Sequence, residues 1–494
     1  MDCRKDFRSI LPFLPVIIRS DGAHWPPPVE EALRYLSRGP SKSNVNSGQL
    51  FALAIADLQN SLGVSTLHPS ASLGLSLFFD TLMSKDESET WFRDVIPRLA
   101  DLLLKLPALL EAHYRNAAII NGMETGLKLL EAQQPGIVFL SQELIAALLA
   151  CALFCLFPTT GRGDKHLRSI NFDKLFLANQ ENKIKCIVHY FERVCQNMPA
   201  GNVSFERKVL PLRNSCPSNI VYPDVDFWIN STISLCRLEV HISGLIEDQP
   251  TEALEVDFAN RYIGGGVLRR GCVQEEIRFV TNPELITSVL FLPMMADNEA
   301  IEIIGSERFS NYTGYSDSFR FSGDREDERG IDTLGRRKTR IIAIDALRRP
   351  GEVQYTPECL LREINKSFCG FFNPFEGEGE GEVEGEGEGE GEGEGEGKEI
   401  GVATGNWGCG AFGGDPQVKA MIQWLAASQA GRSFVLYYTF GLERLEKFEM
   451  VVQWIESRKW NVGEVWSKLV EYSGQRLSGK TAVGFFEWLM MYSA

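Results

Sequence analysis

Asp257, Glu275 and Glu276 put three carboxylates within twenty residues, together with the carboxamides of Asn260 and Gln274, and the run Gly264-Gly265-Gly266 lies between them. Consecutive glycines offer nothing to pack and cost backbone entropy on folding, so they belong where the chain takes unusual dihedrals or comes close to a ligand. A phosphate or a sugar suits such a place. Two adjacent glutamates cannot share one environment, because successive side chains point about 100° apart on a helix and to opposite faces of a strand. Divided labour follows. A general acid must hold its proton near neutral pH, so its pKa has to rise from about 4.3 through burial or a neighbouring negative charge. A second carboxylate supplies that charge and can itself remain ionised.

The elements that must position these residues are legible around them. Leu254 to Asn260 alternates apolar and polar residues like a strand, ending beside the glycine turn. From about residue 201 onward short apolar runs read as strands (Cys236–Ile242, Leu254–Phe258, Ile301–Ile304, Arg340–Ile344, Phe434–Thr439), interleaved with helices at Glu358–Phe371 and Pro416–Ala427. That alternation predicts an α/β domain whose mixed sheet is covered by helices on both faces. Residues 1–200 read as helical, with apolar stretches at Arg98–Glu111 and Gln142–Phe157, and form an all-α accessory domain without a chemical motif of its own. The expected division is 1–200 helical and 201–494 catalytic. The Glu-Gly alternation at 376–399 can bury nothing and repels itself, so it reads as a disordered insertion in a surface loop. Asp324 to Arg340, with Arg336-Arg337-Lys338, reads as a solvated charged loop.

Gly408-Cys409-Gly410-Ala411-Phe412-Gly413 has the form G-x-G-x-x-G between a strand-like Ile400–Thr404 and a helix from Pro416. In a dinucleotide-binding fold the following strand ends on an acidic residue that holds the ribose. Here that strand is followed by Phe440, which argues against a nicotinamide enzyme while leaving the shared physics intact: backbone N–H groups at a Gly-rich turn and helix start can cradle a diphosphate.

The chain of 494 residues carries a net charge of −16, but eleven of its glutamates lie in 376–397, leaving about −5 elsewhere. Eleven cysteines without a Cys-x-x-Cys pair read as reduced thiols of an intracellular protein. The six histidines are scattered outside the glycine-rich segments, so no metal or other cofactor is expected. Neither end of the reading suggests a membrane: Leu11–Ile18 is short and broken by prolines for a secretory segment, and Leu144–Phe157 is fourteen residues, too short to span a bilayer.

Three glycines, a short spacer and Gln-Glu-Glu, as in Gly264 to Glu276, form a signature that resembles the poly(ADP-ribose) glycohydrolase family. The likeness extends through Val256–Asn260, Asn282–Leu285, Gly244–Gln249, Tyr312–Tyr315 and Ala403–Asp415, and Trp25–Pro28 and Ser141–Leu144 are most similar to its plant branch. The resemblance implies a macrodomain-like catalytic domain that hydrolyses the ribose–ribose O-glycosidic bond of poly(ADP-ribose). It implies Glu276 as general acid, with Glu275 and Asp257 holding ribose hydroxyls and Asn260 assisting. It further implies substrate contacts from Gly264, Gly265, Gly266 and Gln274, from Tyr315 at the diphosphate, from Phe412 on ribose, from Asn406, Gly410 and Ala411, and from Ile246, Glu247 and Phe440 around adenine. Its implied partner is poly(ADP-ribose) on modified proteins, met by a monomer in nucleus or cytoplasm, with no DNA-binding motif. A non-catalytic macrodomain that only reads ADP-ribose is the alternative; two glutamates at the sugar bond speak against it.

Overall fold

The computed structural model describes residues 4–120, 122–176, 180–212, 221–373 and 400–492; the Glu-Gly insertion expected at 376–399 lies outside the described residues. Eight strands form the main sheet: β1 (Gly136–Ser141), β2 (Asn202–Val209), β3 (Arg237–His241), β4 (Ala253–Ala259), β5 (Glu299–Ile304), β6 (Arg340–Asp345), β7 (Gly401–Gly405) and β8 (Phe434–Tyr438). Their order is β1-β2-β5-β6-β4-β7-β8-β3. The sheet is mixed. β7 runs parallel to β4, with Gly401 opposite Ala253, and to β8, with Val402 opposite Val435, and β8 runs parallel to β3. β1 pairs antiparallel with β2, Ser141 opposite Asn202. Every residue of β7 is buried, as a parallel strand covered on both faces requires.

By packing, the chain divides into two compact units. The first comprises Met1–Lys208, Asp257–Ala296 and Ile301–Thr339. Its helices include α1 (Ile96–Asn116), α2 (Gln142–Leu153) and α3 (Glu181–Gln196), and a short fourth, α4 (Gln274–Thr281), that carries both glutamates. From Leu144 onward α2 is apolar on every side and buried, packed on α1, which accounts for the long Leu144–Phe157 run without a membrane. Among the described residues no helix is long and apolar enough to cross a membrane. The region read as all-helical also contains β1 and short hairpins such as Ile17–Arg19 with Gly22–His24. The run from Gly136 to Leu140 is too short for its pattern to separate strand from buried helix.

The loop before Arg340 departs in part from its expected solvation. The Arg336 side chain is only 13% exposed, pairs with Asp332 at 2.8 Å and donates to the Ser204 hydroxyl, while Arg337 donates to the Asp327 and Arg329 carbonyls. These two arginines fasten the loop down, while Asp324, Glu326 and Glu328 face water as expected.

The second unit comprises Val209–Val256, Asp297–Ala300 and Arg340–Ala494. Helices α5 (Pro357–Phe371) and α6 (Pro416–Gln429) pack on one another there, each started by a side-chain cap, Thr356 and Asp415 respectively. A buried ionic knot joins β6 to α5: Asp345 receives Lys366 Nζ at 2.8 Å and Arg362 at 2.8 Å.

Candidate active site

In the first unit, β4 ends at Ala259 and the chain turns through Gly264-Gly265-Gly266 before entering α4 at Gln274. Gly264 and Gly265 have φ of 81° and 49°, in the left-handed region that favours glycine. A Cβ on Gly265 would lie 2.3 Å from Glu275 Oε2 and 2.5 Å from Glu276 Oε1, and one on Gly271 would lie 2.5 Å from Glu276 Oε1. The glycines are therefore there to let backbone close over two carboxylates.

Those carboxylates are held by the main chain at the start of α4. Glu276 takes the Val273 N–H at 2.9 Å on one oxygen, completing the helix's first turn, and the Gly266 N–H at 2.6 Å on the other. Glu275 accepts from the Asn260 N–H at 2.9 Å, and Gln274 from the Phe258 N–H at 2.8 Å. Position in the first helical turn favours negative charge electrostatically. Adjacent glutamates were expected to occupy separate environments; their backbone partners differ, the glycine turn for one and the end of β4 for the other, but both carboxyls converge on Gly265 in one buried cluster.

All three carboxyls are buried, with exposures of 1% for Asp257, 3% for Glu275 and 6% for Glu276. Neither oxygen of Asp257 has a hydrogen-bond partner among the described residues, and Glu275 Oε1 has none either. Burial, reinforced by the charge of Glu276, pushes Asp257 up to about 8 from its ordinary 3.8. Burial and the neighbouring Asp257 and Glu276 likewise carry Glu275 well above the usual carboxylate range. The cluster thus holds protons into the neutral range and presents three acceptor atoms that protein has not used. Buried polar atoms are rarely left in that condition without a purpose.

Asn260 is occupied on its carbonyl oxygen, which accepts from the Tyr262 N–H at 3.1 Å and from Arg168 at 3.3 Å. Tyr315, 55% exposed, follows Gly314, and its phenol pKa is raised by partial burial and influenced by the Gln274 backbone and Glu276 at the start of α4.

Two cations escaped the sequence reading. Arg168 donates to the Gly265 carbonyl and lies over the Tyr262 ring, 4.6 Å from its centroid. Lys183 of α3 is 2% exposed and donates to the carbonyls of Val267, Arg269 and Gly271 at 2.9, 2.6 and 2.7 Å. A signal for Lys183 existed: it stands three, four and seven residues before Cys186, Ile187 and Tyr190, on the stripe that α3 buries.

The remaining expected contacts lie in the second unit. Gly408 to Gly413 forms a turn between β7 and α6, closed by the Gly413 N–H on the Gly410 carbonyl and the Gly414 N–H on the Gly408 carbonyl, with Gly410 and Ala411 exposed and Phe412 half-buried. Beneath it Lys419, paired with Glu363, sits 4.1 Å from the centroid of the Trp407 ring. Asn406 bridges the end of β8, donating to the Thr439 carbonyl at 2.9 Å and accepting from the Tyr437 hydroxyl at 3.3 Å. Phe440 follows with a φ of 51° and its ring 47% exposed. A non-glycine residue in that conformation costs of order 1–3 kcal/mol, which suits a ring presented to a ligand better than one filling a core. Ile246 and Glu247 are buried in a short turn of helix at Ile246–Asp248. No acidic residue ends β8, so the dinucleotide fingerprint lacks its ribose partner here too.

The family models and the relatives matched over most of the chain agree on one family. Residues 83–207 match the helical domain of poly(ADP-ribose) glycohydrolase, and 225–447 match its macro domain fold. Poly(ADP-ribose) glycohydrolase 1 of Arabidopsis thaliana is 52% identical over 99% of this chain and 98% of its own. Probable poly(ADP-ribose) glycohydrolase 2 of the same plant is 51% identical over 99% of both. Poly(ADP-ribose) glycohydrolase 2 of Caenorhabditis elegans is 32% identical over 54% of this chain and 51% of its own. With a helical domain, a macro-type sheet and a glycine turn closing on paired glutamates, the chain belongs to the poly(ADP-ribose) glycohydrolase family.

Proposed function

We propose that this chain hydrolyses the ribose–ribose O-glycosidic bonds of poly(ADP-ribose), releasing ADP-ribose, with Glu276 as general acid. The observation that carries the assignment is the buried trio itself, in which Glu276 is fixed by two backbone N–H groups while Asp257 and Glu275 retain unpaired oxygens. A ribose presents several hydroxyls to such oxygens, and a carboxyl that keeps its proton can also donate to them. Asp257 and Glu275 therefore hold the sugar, with Asn260 fixing the turn. Glu276, the most accessible of the three, gives its proton to the leaving ribose oxygen as the C–O bond breaks. The sugar passes through an oxocarbenium-like state, which negative charge nearby favours. As carboxylate, Glu276 then takes a proton from the attacking water.

The Gly264–Gly266 turn and Tyr315 contact the diphosphate in this reading. Phe440 stacks on adenine with Ile246 and Glu247 at its edge, and Asn406, Gly410, Ala411 and Phe412 complete the ribose and phosphate contacts. Exposure of the Phe440 ring supports its part. We read residues 1–200 as an accessory domain and 201–494 as the catalytic domain, the matches to helical and macro-type models supporting that division. The chain acts as an intracellular monomer, in nucleus or cytoplasm, on polymer attached to modified proteins and without a DNA-binding motif. Light scattering on the purified chain tests the monomer.

The function is tested by incubating purified poly(ADP-ribose) with the wild-type chain and measuring free ADP-ribose. Polymer binding without release would identify a reader instead.

A further inference from the structure

We propose that Lys183 is a positioning residue for the hydrolysis, gripping from α3 the loop that in turn grips Glu276. The inference rests on the assignment of Glu276 given above. An ammonium has three donors and no acceptor, and all three donors of Lys183 are used on alternate carbonyls of one loop: Val267, Arg269 and Gly271. The same loop supplies the N–H groups of Gly266 and Val273, which fix the two oxygens of Glu276. Gly266 and Gly271 are also hydrogen-bonded to each other, Gly271 N–H to Gly266 carbonyl at 3.2 Å, so pinning the Gly271 carbonyl restrains the turn that holds the glutamate.

Packing alone does not explain a lysine here. Its neighbours on the buried stripe of α3 are apolar, and its three partners are neutral carbonyls rather than a carboxylate. Burial opposes its charge and pulls its pKa down to about 8, an opposition only partly offset by Cys272 and Glu276. A methionine would fill that space without the desolvation cost. What a methionine lacks is the ability to draw three carbonyls to one point. Arg168 holds the neighbouring Gly265 carbonyl, and Lys183 holds those of Val267, Arg269 and Gly271, so the two cations fix successive parts of the turn. Catalytic groups displaced by about 1 Å can lose about 10²-fold in rate, so a residue that never touches substrate can govern turnover.

The experiment compares wild type, Lys183→Met, Lys183→Arg and Glu276→Gln as full chains. It measures kcat and KM on poly(ADP-ribose), Kd for ADP-ribose and the melting temperature. Lys183→Met should lower kcat by about 10- to 10²-fold and raise the ADP-ribose Kd by a clearly smaller factor, because of the ADP-ribose contacts only those of the glycine turn with the diphosphate depend on this loop. Lys183→Arg should recover only part of the loss, since a planar guanidinium cannot direct three N–H groups to converging carbonyls. A folded Lys183→Met chain with kcat within about threefold of wild type overturns the proposal, as does a loss that merely follows the unfolded fraction. Where Lys183→Met does not fold, Lys183→Arg decides: a kcat that falls by more than the Kd rises supports the grip, and wild-type kcat refutes it. Absence of activity in wild type would instead overturn the assignment of function on which the grip depends.

Discussion

Glu276 is bound through both carboxylate oxygens, and this shapes what its replacement does. Glu276→Gln should lower kcat by about 10²–10⁴-fold, the usual contribution of general acid catalysis. It should also cost about 1–3 kcal/mol of stability, because the amide NH2 meets one of the two N–H groups, Gly266 or Val273, that the carboxylate accepted. Thermal melts beside initial rates separate the two effects. Asp257 gives a prediction of opposite sense. Its folded pKa, about 8, lies above its ordinary 3.8, so the stability its protonated form provides is complete below about pH 4 and is lost as pH rises through 8. Asp257→Asn cannot ionise, and its melting temperature relative to wild type should therefore rise from pH 5 to pH 8. A difference that stays flat or falls over that range would show that Asp257 carries no raised pKa. That burial and neighbouring carboxyls would raise pKa values in this cluster was foreseeable from the sequence. Which members are pushed up was not, because burial depends on how β4 and the glycine turn fold over them.

At the scale of the element, the turn from Gly264 to Gly266 is the part least tolerant of change. Gly265→Ala would place a methyl 2.3 Å from Glu275 Oε2 at a φ of 49°, so we expect a loss of order 1–3 kcal/mol in stability together with at least a tenfold fall in kcat. Normal melting and turnover in this variant would mean that the turn does not close on the carboxylates. The turn, β4, β7, β8, α5 and α6 were all legible, since apolar runs bounded by Gly, Pro or a capping residue stand out without tertiary context. β1 was not, because Gly136 to Leu140 is short enough to suit strand or buried helix. Arg336 and Arg337 look like ordinary surface charges in sequence, Lys183 is marked only by its place on the buried stripe of α3, and their partners come from distant segments such as Ser204 and Gly271. Spacing along one chain does not encode such pairings.

At the scale of the molecule, the residues assigned to the bond and those assigned to the adenosine end have different tasks, so their substitutions should act on different kinetic constants. Phe440→Ala removes an exposed ring assigned to base stacking, worth about 1–3 kcal/mol per base, and should raise KM by roughly 5- to 150-fold with kcat little changed. Steady-state kinetics on polymer of defined length tests this, and a fall in kcat at constant KM would remove Phe440 from the binding face. The most direct test of the whole account is release of ADP-ribose from purified poly(ADP-ribose) by wild type and by Glu276→Gln, with polymer binding followed in both. The account predicts release by wild type alone and binding by both; release by the variant at the wild-type rate, or binding by wild type without release, would contradict it.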